Sequence, residues 1–576
     1  MNDPKTDSPP PLPRSSFIFH HPSFFPSLLI FTVTLLTFAR LIPCGFTWWD
    51  DQDTIRQNPR LNPPSWSSVG YYWTNAGEHT TMGLYVPVTY TLWSGLAKIA
   101  HLQQPDAEGL TLDPRLFHAA NILIHAITTV LVFQLLLRLL AKPLPATFAA
   151  LLFGLHPVQV EPVAWISGTK DLLCGMFSVA ALLMYVRSLQ VKSDHPRQRG
   201  PARWRYLLGL LFFILAMLSK PTGVMVPLMA IVLALLMFDR PLIKTSISLL
   251  PWFLLMIPCV IWTQKVQPPS WVSPLPVWAK PAVAADAITF YFYKLLWPIR
   301  LCIDYGHNPP AIAANHLIYF TWIVPAIVAL LLLRRYRNHQ PAVAAALLFL
   351  LPLLPVLGFF AFEFQLISTT SDHYLYLPML GVALALAWAL DRFRVPRWLP
   401  IVVLYLLGVR SILQEPVWQD TRTLFLHTLA VNPNSVASMD GLGFVTGRDA
   451  RQLTARGQAN QARPLFDESI DWYRKSLQFD PDSVPSLLNL ALDYQAIDQN
   501  DLGLQQIHRM VAVQYHLQPG LKADPLTLAH LLIKFRDIPG AITWLDQVLQ
   551  DNPTNTDAAL LREQAIAHLP KPSTKN

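Results

Sequence analysis

The sequence predicts a mainly α, polytopic membrane protein of about eleven transmembrane helices followed by an α-solenoid domain. Three observations predict it. Of the 576 residues, 52% are hydrophobic and only 14% are charged, a composition too apolar for an ordinary soluble domain. Apolar stretches of about 20 residues, enough to cross a hydrocarbon core of roughly 30 Å, recur from residue 23 to residue 414. Beyond them the composition turns to that of soluble helices and repeats at a helical-hairpin period.

Residues 1–22 open on "MNDPKTDSPPPLPR", whose prolines and polar side chains cannot form a core and read as a disordered cytoplasmic tail. The membrane domain is expected over 23–415. Spans are predicted near 23–45, 117–140, 145–160, 171–189, 204–219, 222–238, 246–264, 317–333, 341–361, 373–391 and 398–414, the third short and interrupted by proline. The first lacks a small-residue cleavage site and is too long for a signal-peptide core, so it is read as a span. "DAITFYFYKLLWP", Asp286 to Pro298, is either a further span or a helix on the surface.

Lysine and arginine decide between these, because short cytoplasmic loops collect them. The clusters at Arg138/Lys142, Arg187 to Arg205, Arg240/Lys244, Arg334 to Arg337 and Asp391 to Arg397 share one side only if 286–298 does not cross. The N-terminus is then cytoplasmic, and the first loop 46–116, the loops 265–316 and 362–372 and the C-terminal domain are external. These basic loops account for most of the net charge of +8, so no nucleic-acid partner is implied. Cys174 and Cys259 fall in spans as apolar fillers, and Cys44 with Cys302 is the one candidate bridge.

The C-terminal domain, 416–569, precedes a short tail at 570–576. "ESIDWYRKSLQFDP" followed by "DSVPSLLNLALDY" places Ser469, Tyr473, Ser476 and Pro481, then Leu487, Leu490, Ala491 and Tyr494, in the small, aromatic and large slots of a tetratricopeptide repeat. "TRTLFLHTLAVNP" and "GAITWLDQVLQDNP" repeat the pattern, and Pro519 and Pro553 stand one 34-residue repeat apart. Small residues let paired helices approach, and proline ends the second helix so that the next hairpin can stack. Such helices either only stabilise one another or hold a peptide or protein partner on their concave face.

The chemistry is expected on the external side. "FTWWDDQDTIRQNP" sets Asp50 and Asp51 behind two tryptophans at the end of the first span. A lone aspartate there is ordinarily just solvated. Two adjacent carboxylates that lose water cannot both ionise easily, so one can accept a proton from an incoming hydroxyl. Lys220 in "LSKP", Lys170 in "SGTKDLL" and Arg300 in "WPIRLCIDY" place cations at the same surface, as phosphate partners or as snorkelling interfacial side chains. His156 and Glu161 in "HPVQVEP", with Asp171, Asp372, His373 and Tyr374, lie on that side to bind substrate hydroxyls or to hold loops. No metal-ligand spacing occurs: His156 and Glu161 lack the His-Glu-x-x-His pattern.

"WDDQDTIRQNP", "FHAANILIHA", "FGLHPVQVEPVAWISGTKDLL", "LSKPTGVMVP", "KLLWPIRLCIDYG", "STTSDHYLYLPMLG" and "EPVWQDTRTLFLHTLAVNP" follow one another in this order. This series resembles the GT-C superfamily of polyprenyl-phosphate-sugar-dependent glycosyltransferases. Within it, the chain is similar to the branch with C-terminal tetratricopeptide repeats, which includes animal transmembrane O-mannosyltransferases and bacterial homologues. The resemblance implies a sugar donor on a polyprenyl phosphate, an acceptor hydroxyl from outside, inversion at the anomeric carbon and no general acid. It carries the base role to Asp51 first and Asp50 second, and phosphate binding to Lys220, Lys170, Arg300 and His373. Bacterial relatives usually have arginine where His373 stands, and an imidazole is charged only part of the time near neutral pH. Some relatives use a divalent ion; the expectation here is a reaction with no metal or other cofactor.

The favoured acceptor is a polypeptide serine or threonine, with a glycan or lipid as alternatives, and the repeats would bind acceptor or a protein partner. Compact basic loops and the bacterial relatives suggest an inner membrane with the repeats in the periplasm; a eukaryotic chain would place them in the endoplasmic-reticulum lumen. A second reading makes the chain a catalytically degenerate membrane-anchored scaffold, which would have no need of the Asp pair with cations on one face. A transporter would carry ionisable groups deep in several spans, whereas here they cluster at the ends.

Overall fold

The computed structural model describes residues 23–75, 84–105, 111–190, 196–266, 276–277, 279–314, 318–335, 339–360, 362–516 and 524–567. The tails expected over 1–22 and 570–576 lie outside them. Among the described residues no named strand occurs, and helices build both halves of the chain.

Among the described residues seven helices are long and apolar enough to cross a membrane: Phe24–Leu41, Pro114–Leu140, Ile166–Leu189, Gly200–Ser219, Pro221–Phe238, Leu242–Lys265 and Trp398–Trp418. An eighth candidate is the pair Pro143–Leu155 and Pro157–Ala164, bent by 50°. The bend falls at His156 because Pro157 has no N–H for the helical ladder. Tyr319–Arg334 and Gln340–Val356 are apolar but shorter. The span read over 373–391 begins only at Met379, because Asp372–Leu375 form a separate 3-10 turn and Pro378 precedes the helix. The segment 286–298 forms most of the helix Lys280–Leu296. Several helices open on proline at a first-turn position, where its missing N–H costs nothing; Asp113 also caps the helix of Pro114 by accepting from Arg115 N–H.

The helix Pro114–Leu140 packs against Thr169–Leu189, Pro143–Leu155 and Phe24–Phe38 and forms the centre of the bundle. Large apolar side chains of Leu242–Lys265 and Trp398–Trp418, such as Ile247, Leu254, Ile401 and Leu406, remain exposed. Helices apolar on their outward faces suit a lipid surround. Four of the five basic segments share one end: Gln190 Nε2 donates to the carbonyl of Arg138, Arg240 to that of Leu189, Arg205 to that of Arg187, and Lys142 pairs with Asp391 at 3.3 Å. All four cysteines are free thiols, so the Cys44–Cys302 bridge is not formed; Cys44 Sγ donates to Arg40 O and Cys302 Sγ to Asp304 O.

The C-terminal half runs through Thr421–Val431, Val436–Ala455, Ala459–Phe479, Val484–Ala496, Asn500–His516, Pro525–Lys534, Ile538–Asp551 and Thr556–Ala567, each packed on the next. Asp420, Ser435, Ser483, Asp524 and Asp537 accept from an N–H in the first turn of their helices, so the hairpins are separated by repeated caps. The residues in the repeat slots are buried: Ser469, Tyr473, Ser476, Leu487, Leu490, Ala491 and Tyr494. A Cβ on Gly443 would meet the Tyr473 ring, which shows how closely two of these helices pass.

A glycine sets an equally tight contact in the bundle. A Cβ at Gly381 would collide with the backbone of Ala345 and Phe349, where the helices Gln340–Leu350 and Met379–Arg392 pack together. Gly381→Ala is expected to separate them at a cost of about 1–3 kcal/mol, read as a lower melting temperature of the purified protein in detergent. An unchanged melting temperature would contradict so close a backbone approach.

Candidate active site

Helix Thr169–Leu189 carries Lys170 and Asp171 at its start and Arg187 in its last turn, so the polar cluster and the basic loops lie at opposite ends of the bundle. Its 3-10 turn Ile166–Gly168 meets the segment after the first helix. Asp51, only 1% exposed, makes the join. Its Oδ2 accepts from Thr47 N–H and Oγ1–H, both at 3.0 Å, and its Oδ1 accepts from Ser167 N–H at 2.8 Å. Burial pushes the Asp51 pKa up, and the hydrogen bonds from Thr47 and Ser167 act in the opposite sense.

Asp50 is the accessible member of the pair. Its side chain is 26% exposed, and Oδ2 lies 3.4 Å from Lys170 Nζ. Lys170 is nearly buried and stands 5.3 Å over the Trp165 ring, whose Nε1 has no partner. Asp53, one turn further along, is exposed. Partial burial raises its pKa, as does the charge of Asp50.

Lys220 Nζ lies 2.7 Å from Asp171 Oδ1 and 5.5 Å over the Tyr374 ring. Asp171 Oδ2 is buried without a hydrogen-bond partner. Both residues line a small cleft, together with Cys174, Thr222, His373 and Tyr374 and apolar residues that include Pro352, Val356 and Leu377. Asp50, Lys170, Asp171 and Lys220 all act electrostatically on His373, so the sequence-predicted groups converge around one ring.

His373 itself faces inward, at 5% exposure. Its Nδ1 lies 2.7 Å from Glu161 Oε1, and Glu161 also accepts from Ser371 Oγ at 2.8 Å and Asp372 N–H at 3.2 Å. Glu161 thus holds the turn that begins at Ser371. Asp372 accepts from Tyr305 OH at 3.0 Å, and its pKa is driven upward by burial and by the nearby Glu161. His156 Nε2 donates to Leu295 O at 3.1 Å and Nδ1 accepts from Val158 N–H, so both ring nitrogens serve the bend. Arg300 stands apart: it is exposed, has a φ of 52°, and is not among the residues lining the cleft. Its carbonyl accepts from the buried Lys294 Nζ at 3.0 Å. Thr47, Ser167, Ser371, Tyr305 and Lys294 were not singled out from the sequence, where isolated residues of these types carry no pattern. Among the described residues no group of three or more His, Cys, Asp or Glu is placed to hold a metal ion.

By its helices this chain is an integral membrane protein, and the known proteins it matches are protein O-mannosyl-transferases. Residues 117–262 match the family of dolichyl-phosphate-mannose-protein mannosyltransferases. Among individual proteins, the chain is similar to human protein O-mannosyl-transferase TMTC3, at 22% identity over 554 residues, covering 86% of this chain and 56% of that protein. It is 24% identical to human protein O-mannosyl-transferase TMTC1, covering 66% and 47% of the two chains, and 23% identical to protein O-mannosyl-transferase F38B6.6 of Caenorhabditis elegans, covering 73% and 60%. The chain therefore spans about half the length of the relatives it matches. No solved structure matches it.

Because burial raises the Asp51 pKa, the folded state binds its proton more tightly than the unfolded chain does. Stability should therefore fall as pH rises from the ordinary carboxylate value of about 3.9 toward the raised folded value. Asp51→Asn should flatten that fall in melting temperature. It should also cost about 1–3 kcal/mol, because one carboxylate oxygen becomes a donor facing the amides of Thr47 or Ser167. An identical pH slope in the variant would show that Asp51 does not titrate in this range.

Proposed function

We propose that the protein is an integral-membrane glycosyltransferase that moves a sugar from a polyprenyl phosphate to a serine or threonine hydroxyl of a protein, with inversion at the anomeric carbon. The observation that carries this reading is the partly exposed Asp50 carboxylate beside Lys170, both acting electrostatically on His373, which lines a cleft with Lys220 and several apolar residues. The names of the similar proteins, all protein O-mannosyl-transferases, support a protein acceptor and point to mannose as the first sugar to test.

In this reaction Asp50 takes the proton of the acceptor hydroxyl as its oxygen attacks the anomeric carbon. The bond from that carbon to the phosphate oxygen breaks, and its electrons leave with the polyprenyl phosphate. Lys220 and Lys170 meet the charge that develops on the leaving phosphate, so the scheme assigns charge neutralisation to lysines and requires no metal. Asp51 is better suited to holding the loop, since its oxygens are already engaged. The unpartnered Oδ2 of Asp171 suits a sugar hydroxyl donor. The apolar residues of the cleft suit the first isoprene units. Arg300 would meet lipid headgroups at the surface, and His373 would support the site through Glu161. The C-terminal helices lie at the same end as Asp50 and would present an extended acceptor segment or hold a partner. With the basic loops in the cytoplasm, this end faces the periplasm of a bacterial inner membrane.

Asp50→Asn should lower transfer by about 10²–10⁴ fold, the range for loss of a general base. The measurement is mass spectrometry of glycopeptides from producing cells, with equal amounts of each variant in the membrane. Lys220→Gln should weaken the donor by about ten- to a hundredfold, as expected for a lost charge-assisted hydrogen bond. A fully active Asp50→Asn beside an inactive but folded Asp51→Asn would move the base to Asp51; unchanged glycopeptides on deleting the whole protein would sink the transferase reading.

A further inference from the structure

We propose, on the reading that Asp50 is the base, that Thr421 and Phe444 are positioning residues of the transfer reaction, which makes the first two helices of the C-terminal domain part of the catalytic unit. The segment that leads into Asp50 is held almost residue by residue from that domain. Gly45 N–H donates to Gln419 O at 3.0 Å, and Trp48 N–H donates to Thr421 Oγ1 at 3.0 Å. The Trp48 ring lies against Phe444, with centroids 4.1 Å apart, and Trp49 meets Phe425 edge-on at 6.3 Å. Trp48 Nε1 is buried with no hydrogen-bond partner, so aromatic packing rather than a polar tether sets where that ring lies. Two residues later comes Asp50, whose carbonyl accepts from both Thr54 N–H and Oγ1–H and starts the next turn.

A second strut reaches the other side of the site from the same helices. Ser435 Oγ donates to Asp304 Oδ2 at 2.5 Å, Asn432 Nδ2 donates to Asp304 O at 3.3 Å, and His427 Nε2 lies 2.9 Å from Leu301 O. That turn carries Tyr305, which donates to Asp372, the neighbour of His373. A Cβ at Gly306 would lie 3.0 Å from Asn432 Nδ2, so the turn and the helix end are in close contact. These two helices and the turn between them therefore brace both the carboxylate loop and the turn behind the cleft. A transferring base must hold its oxygen within a few tenths of an ångström of the hydroxyl proton, and loss of one brace moves it.

Ordinary domain packing predicts that weakening these contacts lowers folded yield and donor binding together with turnover. Positioning predicts a split. The test uses the full chain, with two readouts: occupancy of the glycopeptides that the wild type produces in cells, and binding of farnesyl phosphate to the purified protein in detergent. Thr421→Val keeps the shape but removes the oxygen that accepts from Trp48, and should lower occupancy by about tenfold or more with farnesyl phosphate affinity and membrane level unchanged. Thr421→Ser, which keeps the oxygen, should restore it. Phe444→Ala should act like Thr421→Val, and Phe444→Tyr should not. Wild-type occupancy in Thr421→Val, or a parallel loss of occupancy, affinity and yield that serine does not rescue, overturns the positioning role. Asp50→Asn run alongside separates the two levels: if it is active, the base assignment falls and this inference with it; if it is inactive while Thr421→Val is active, only the positioning role falls.

Discussion

The whole polar end of this molecule depends on one buried carboxylate. Asp51 binds Thr47 on one side and Ser167, 116 residues later, on the other. That join brings the first loop onto the start of the helix that carries Lys170 and Asp171. With the contact between Thr54 Oγ1 and Ser167 Oγ at 2.8 Å, it sets Asp50 beside Lys170. The cost of burying a carboxylate is met by three hydrogen bonds, which is the condition under which such a group can be kept in an interior. The pair of aspartates thus differs in environment: Asp51 is buried with its oxygens engaged, and Asp50 is partly exposed beside Lys170.

Around that join, the cations are arranged as pairs rather than as free charges. Lys170 faces Asp50 and Lys220 faces Asp171. Each lysine is mostly removed from water and has an aromatic ring, Trp165 or Tyr374, within 6 Å. A lysine held this way pays little reorganisation when a phosphate replaces its carboxylate partner or joins it. A buried oxygen that lacks a hydrogen-bond partner, Asp171 Oδ2, belongs to the polar lining of the cleft.

Much of this was legible in the sequence, because a bilayer sets strict length and polarity rules on a chain. Eight of the predicted spans correspond to seven long apolar helices and one bent pair. The helix read from 373 starts later because its first residues serve a 3-10 turn around Asp372, and periodicity does not distinguish a buried turn from the first turn of a helix. In the site, residue type and position at a span's end pointed to Lys170, Lys220, Asp50 and Asp51. What could not be read was which aspartate would be buried, since that follows from Ser167 far along the chain. The same holds for His373, whose inward pairing with Glu161 is a contact across 212 residues. Arg300 illustrates the converse: a cation in the right stretch of sequence that is exposed and does not line the cleft.

The contact between Trp48 and Thr421 spans 373 residues. During synthesis the first loop emerges early and must wait, with its tryptophans uncovered, until nearly three-quarters of the chain has been made and its partner helix has crossed to the same side. The maturation of the site is therefore tied to the last stages of membrane insertion. A chain halted before the C-terminal helices would carry every candidate catalytic side chain and still lack the surface that holds them in register.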